Sequence, residues 1–281
     1  MEFDWVLFIA TICLSVFGIV MIYSATRTLQ SNTNVIVQSG AMVIGCAAML
    51  VTCFFDYEQL KNLVKPIYIF AVAILLLVLV FGVSGDWGAR SWIRFGAIGI
   101  QPSEICFIVT FSCHLSKVHD DINKPLTILG LLLHIGVLVG LILLQPDMGS
   151  VLVFLFMFIC LMFVAKLSYK YILPIGVAGV ASLPFIYKYV LSEYQQKRIQ
   201  VFFNPNLDPR GRGYNVIQSK IAVGSGQLWG KGYLQGTQNQ MGYLPTKYTD
   251  FIFSVISEEF GFIGALLVTA VLFFIIYKCF K

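Results

Sequence analysis

Apolar runs of about 20 residues recur from one end of the chain to the other, and each is the length a helix needs to cross the hydrocarbon core of a bilayer. Inside lipid only self-satisfied backbones survive, so such runs must be helices. A mean hydropathy of +0.83 and a charged fraction of 12% leave too little polar surface to solvate a globular domain of 281 residues. The expected fold is therefore all-α and polytopic, with about eight transmembrane helices in a single membrane domain over residues 1–281. We place the spans near residues 5–23, 35–55, 67–83, 101–116, 126–144, 150–165, 171–190 and 251–277. A large extracytoplasmic loop, about 191–250, precedes the last of them.

Glu2 and Asp4 stand where a basic leader would be, and no small-residue cleavage site follows, so the first run is expected to stay as a helix. Orientation follows from the short loops, because cytoplasmic loops are enriched in Lys and Arg. With the termini inside, Lys61, Lys65, Lys117, Lys124, Lys166, Lys170, Lys278 and Lys281 fall on the cytoplasmic side, against Arg27, Arg90 and Arg94 outside. The N-terminus is thus expected in the cytoplasm, and the segments 87–100, 145–149 and 191–249 face outward. The cysteines lie in spans or at the inner end with no CxxC pair, which argues against a disulfide framework or a zinc site. A net charge of +5 spread over both faces suits anionic membrane lipid and not nucleic acid.

Three outward segments carry the polar residues. In Gly88-Ala-Arg-Ser-Trp-Ile-Arg-Phe-Gly96, aromatic residues alternate with Arg90 and Arg94, a pattern of an interfacial anchor with guanidiniums toward phosphate. Gln101-Pro-Ser-Glu104 follows, with Pro102 suited to start a helix and Glu104 to sit in its first turn. Gln145-Pro-Asp-Met-Gly149 joins two apolar runs with almost no loop. Asp147 there is either a functional carboxylate or the cap of the next helix.

The third segment is the long loop, with Arg198, then Asn204-Pro-Asn-Leu-Asp-Pro-Arg-Gly-Arg-Gly-Tyr214, Gln218 to Gly226, Gly230-Lys-Gly232, and Leu244 to Phe251. Its Asn-Pro and Asp-Pro pairs start turns, and its glycines permit close backbone approach to a ligand. Amides freed in this way can cradle phosphate, with Arg198, Arg210, Arg212, Lys220 and Lys231 adding charge. A nucleotide P-loop is excluded, since Ser225 and Gly232 occupy the positions that need Gly and Ser or Thr. Asp250 closes the loop at the edge of the last apolar run, flanked by Tyr248, Phe251 and Phe253. Partial desolvation there would make it a base; the plain alternative is a helix cap. Glu258 and Glu259, two turns further on, are costly in a span and should pair with cations.

Taken in series, these motifs resemble the SEDS family, the shape, elongation, division and sporulation proteins that include RodA and FtsW. The pattern is GARxWIxxG, QPSE, QPDMG, YQxxRI, NPxxDPxGxGY, QSxIAVGSG, GKG, GTQ, YTDFIF and EExGFIG, in the family's order from Gly88 to Gly264. The resemblance implies a peptidoglycan glycosyltransferase that polymerises lipid II at the outer face of the bacterial cytoplasmic membrane, beside a class B penicillin-binding protein. It gives Asp250 the role of essential acid and Glu104 that of a supporting charge. Gln145, Asp147 and the basic residues of the loop are expected to help bind substrate, with or without a divalent cation such as magnesium or manganese. Glu104 and Asp147 are expected to converge on Asp250. Two departures stand out: Phe107 occupies the place of the family's Lys, and about ten spans are usual where eight are read here. A lipid II flippase, or a non-catalytic scaffold for a transpeptidase, is the alternative reading.

Overall fold

A computed structural model describes residues 4–29, 32–54, 63–82, 91–95 and 98–280. Every expected span coincides with a helix, namely α1 (Trp5–Thr26), α2 (Thr33–Phe54), α3 (Val64–Phe81), α4 (Pro102–Val118), α5 (Pro125–Leu144), α6 (Met148–Val164), α7 (Tyr169–Phe185) and, last in the chain, Ile252–Phe280. Among the described residues six are long and apolar enough to cross a membrane, α7 by running on as a helix to Tyr189, while α4 and α6 stop at 17 residues. Local chemistry sets several of the ends. The Asp4 carboxylate caps α1 by accepting from Val6 N at 3.1 Å and Leu7 N at 3.0 Å. Pro102 and Pro125 open α4 and α5, where a missing N–H costs nothing.

The chain divides into two compact units, Met1–Cys53 with Ile186–Lys281, and Phe54–Phe185. In the second, α3 to α6 enclose an apolar core that includes Leu75, Phe111, Leu131, Leu138, Phe154 and Phe158. The expected interfacial piece contains a short antiparallel hairpin, β1 (Ile93–Phe95) on β2 (Ile98–Ile100), with Arg94 opposite Gly99.

In the first unit the expected loop contains helices of its own. It holds α8 (Glu193–Phe203), α9 (Arg212–Ser225) and the single turn α10 (Thr237–Gln240) before the last helix, α11 (Ile252–Phe280). Ser192 and Gln195 form a capping box at the start of α8, which the turn signals around it had masked.

A break in α11 organises this unit. Gly261 has φ 68° and ψ −165°, so the helix runs over residues 252–260, stops, and resumes over 262–280. The exposed backbone groups at the break are taken up by the segment after α9. Phe262 N donates to Gln227 O at 2.8 Å and Ile263 N to Leu228 O at 3.2 Å. In return Lys231 N donates to Glu258 O at 3.0 Å and Gly232 N to Glu259 O at 2.9 Å. The backbones interlock so closely that a Cβ on Gly261 would lie 2.3 Å from Gly230 N. The close backbone approach expected from the loop glycines is therefore made to α11.

Gly261→Ala combines a glycine-only backbone conformation with overlap against a neighbouring backbone, so it should destabilise this unit by at least about 3 kcal/mol. Thermal unfolding in detergent, followed by the loss of the monodisperse peak on gel filtration, measures this.

Candidate active site

Asp250 lies in a turn, two residues ahead of α11. The turn is closed by Thr249 N donating to Thr246 O at 3.1 Å and Phe251 N to the same carbonyl at 3.4 Å. The Asp250 side chain is exposed, and among the described residues nothing donates a hydrogen bond to its carboxylate. It therefore does not cap α11. Nor is it buried among Tyr248, Phe251 and Phe253, its neighbours in the sequence. What remains is a carboxylate with all its lone pairs free.

Behind it lies the opposite case. Glu258 and Glu259 are fully buried. Glu258 Oε1 accepts from Lys231 Nζ at 2.8 Å, Gln238 N at 2.9 Å and Thr237 Oγ1 at 3.2 Å, while Oε2 accepts from Asn239 N at 3.1 Å. Four donors, one of them cationic, hold the anion where burial alone would expel it. Glu259 Oε1 accepts from Ser24 Oγ at 2.6 Å and Asn239 Nδ2 at 3.0 Å. Gly236 sits where a Cβ would be 2.7 Å from Glu258 Oε2, so only glycine lets α10 reach the pair.

Asn239 links this cluster to the turn. Its carbonyl accepts from Lys247 Nζ, which also donates to Thr28 Oγ1 at 3.1 Å. Burial pushes the Lys247 ammonium below the usual lysine range, against the opposing pull of Glu258 and Glu259. Leu244, buried with Met21, Ala25, Val255 and Ile256, fixes the other end of the same segment. Three residues past Lys247 the chain reaches Asp250.

The basic residues divide into two groups. Lys231, expected at a phosphate, is instead committed to Glu258 and to Thr237 Oγ1 at 2.6 Å. Arg198 on α8, Arg210 in the turn before α9 and Lys220 on α9 are exposed. The side chain of Arg212 lies outside the described residues.

The remaining candidates belong to the second unit. Glu104 occupies the first turn of α4, as expected, and is exposed; among the described residues it makes no ion pair. Arg90 lies outside the described residues, as do the side chains of Arg94 and Phe107. Asp147 caps α6, accepting from Ser150 N at 3.2 Å, Ser150 Oγ at 2.8 Å and Gln101 Nε2 at 2.8 Å. Gln145 is buried and donates to Leu75 O at 3.2 Å. Both therefore hold helices together in this unit.

Sequence reasoning missed Ser24, Asn239 and Lys247 altogether. The adjacent carboxylates at 258 and 259 were the one available signal, since they require donors from somewhere.

With this geometry in hand, the relatives are informative. The family model for FtsW, RodA and SpoVE, described as a cell cycle protein, matches residues 4–281. A probable peptidoglycan glycosyltransferase FtsW from Trichlorobacter lovleyi is 35% identical, over 100% of this chain and 76% of its own length. The peptidoglycan glycosyltransferase MrdB of Escherichia coli is 32% identical over 85% of this chain and 65% of its own. Among solved structures, a chain from a peptidoglycan synthase complex that coordinates polymerization and crosslinking superposes with a TM-score of 0.75. It is 25% identical, with 99% of this chain and 77% of that one covered. Thermus thermophilus RodA shares the fold at a TM-score of 0.62 and 23% identity, over 99% of this chain and 74% of its own.

Glu258→Gln keeps the shape and removes the charge that Lys231 faces, so it should cost about 3 kcal/mol. Glu104→Gln, at an exposed position, should shift stability by less than about 0.5 kcal/mol. Parallel thermal unfolding of the two variants gives the comparison.

Proposed function

Starting from a chain that belongs to the FtsW, RodA and SpoVE family of cell cycle proteins, we propose that it is a peptidoglycan glycosyltransferase acting on lipid II. The observation that carries the reading is Asp250, an exposed carboxylate that accepts no hydrogen bond among the described residues, held on a tightly anchored turn. Such a group can accept a proton, because neither a cap nor an ion pair competes for its lone pairs.

In the proposed step, Asp250 takes the proton of the acceptor sugar's 4-hydroxyl. The oxygen's electron pair attacks the anomeric carbon of the undecaprenyl-pyrophosphate-linked donor, and the bond from that carbon to the pyrophosphate oxygen breaks. The pyrophosphate leaves with the electron pair. Attack from the side opposite the leaving group inverts the centre, turning an α-linked donor into a β-linked glycan. Arg198, Arg210 and Lys220 supply positive charge on the same unit for the departing phosphates. Among the described residues no three His, Cys, Asp or Glu side chains gather to hold a metal.

We further place the N-terminus in the cytoplasm, on the count of Lys and Arg in the short loops. A class B penicillin-binding protein is the proposed partner. The match to a chain from a complex that joins polymerization to crosslinking supports this.

Purified protein given labelled lipid II, with and without such a partner, should form glycan strands. Asp250→Ala should lose them by at least about 1,000-fold while eluting as the wild type does. Undiminished polymer from that variant overturns the assignment. Translocation of lipid II across vesicles without any polymer selects the flippase reading.

A further inference from the structure

The first unit contains a polar chain of contacts that runs from the buried carboxylates of α11 to the turn bearing Asp250. Asn239 is its central member and is fully buried. Its N–H donates to Glu258, its side-chain amide donates to Glu259 and, at 3.3 Å, to Ser24 Oγ, and its carbonyl accepts from Lys247. Gln240 Nε2, the next residue, donates to Ser24 O at 3.4 Å, which fastens the same turn to the end of α1. Every polar direction of Asn239 except its own side-chain oxygen is thus used.

These contacts are more than packing. Lys247 is buried although its ammonium is costly to desolvate, and a leucine would fill such a space at lower cost. What the ammonium adds is direction. It ties the backbone of Asn239 to Thr28, in the short 3-10 turn that follows α1, and so anchors the turn at residues 246–251. Leu244 fixes that segment only through non-directional apolar contact.

We propose that Asn239 and Lys247 are positioning residues for Asp250, transmitting the fixed geometry of the buried Glu258 and Glu259 to the turn that presents the base. The inference rests on the proposed role of Asp250. Neither residue touches substrate. Their effect is on where the carboxylate stands when the acceptor hydroxyl arrives, and a displacement of 1 Å can cost about 100-fold in rate.

The test uses the full chain in detergent with labelled lipid II. Lys247→Met keeps the length of the side chain and removes its donors; Lys247→Arg restores donors and charge. The expected result for Lys247→Met, per folded molecule, is a fall in kcat of about 10- to 100-fold with KM for lipid II within about twofold of wild type. Amide hydrogen exchange should rise in residues 244–251 and stay unchanged in residues 252–260, and Lys247→Arg should recover most of the lost kcat. Wild-type kcat in Lys247→Met, a loss confined to KM, or exchange that rises equally through residues 252–260 overturns the inference. Asn239→Ala is the second variant and should reproduce the kcat loss and the local exchange; wild-type turnover in it also overturns the inference. Asp250→Ala run alongside separates the two readings. If it is inactive while Lys247→Met and Asn239→Ala are not, positioning fails and the catalytic role stands; if it is active, the catalytic role itself falls.

Discussion

The buried carboxylate of Glu258 is the constraint on which the surrounding unit depends. An anion removed from water costs several kcal/mol unless donors replace the solvent. Here the donors come from outside its helix: the Lys231 ammonium, the Thr237 hydroxyl and the amides of Gln238 and Asn239. Those residues cannot reach Glu258 unless the segment after α9 folds back on α11. One buried charge therefore dictates the path of some fifteen residues of polar chain.

The break at Gly261 makes that path possible. An unbroken helix would keep the carbonyls of Glu258 and Glu259 and the amides of Phe262 and Ile263 within its own ladder. Interrupting it frees all four for the segment at 227–232, which contributes two carbonyls and two amides in exchange. The result is a join in which helix and loop share backbone hydrogen bonds, as strands do. Gly226, Gly230 and Gly261 serve this close contact, since a Cβ on any of them would lie within 2.3 Å of backbone atoms.

The apolar helices were legible because length and hydropathy speak directly to lipid: all eight runs are helices, and among the described residues six are long and apolar enough to cross a membrane. Residues 191–250 were less legible. Their Gly, Pro and Asn content signals turns, yet the Ser192 and Gln195 capping box and the amphipathic stretch Arg212–Ser225 form helices between those turns. Glycines that cradle a ligand and glycines that permit close backbone packing look alike in sequence, and Gly226 and Gly230 pack against the backbone of α11. A one-sequence reading could not tell these apart, because both demand the absence of Cβ. Asp250 stands out in the sequence by its position at a polar–apolar boundary, and its side chain is exposed there. Ser24 and Asn239 were invisible for a simpler reason. They meet across 215 positions of sequence, and no local pattern encodes such a contact.

Three acidic residues within ten positions show how environment divides labour among identical chemistry. Glu258 has both oxygens occupied by donors, one of them the Lys231 ammonium. Glu259 has one oxygen held by Ser24 and Asn239 and is closed to solvent. Asp250 alone is open, unbonded and able to meet a substrate hydroxyl. A carboxylate left without hydrogen bonds cannot orient itself, so its position must come from the backbone beneath it. That backbone is held by Leu244 and Lys247, and through Asn239 by the buried pair. The residues least able to perform chemistry are thus the ones that fix where the chemistry can occur.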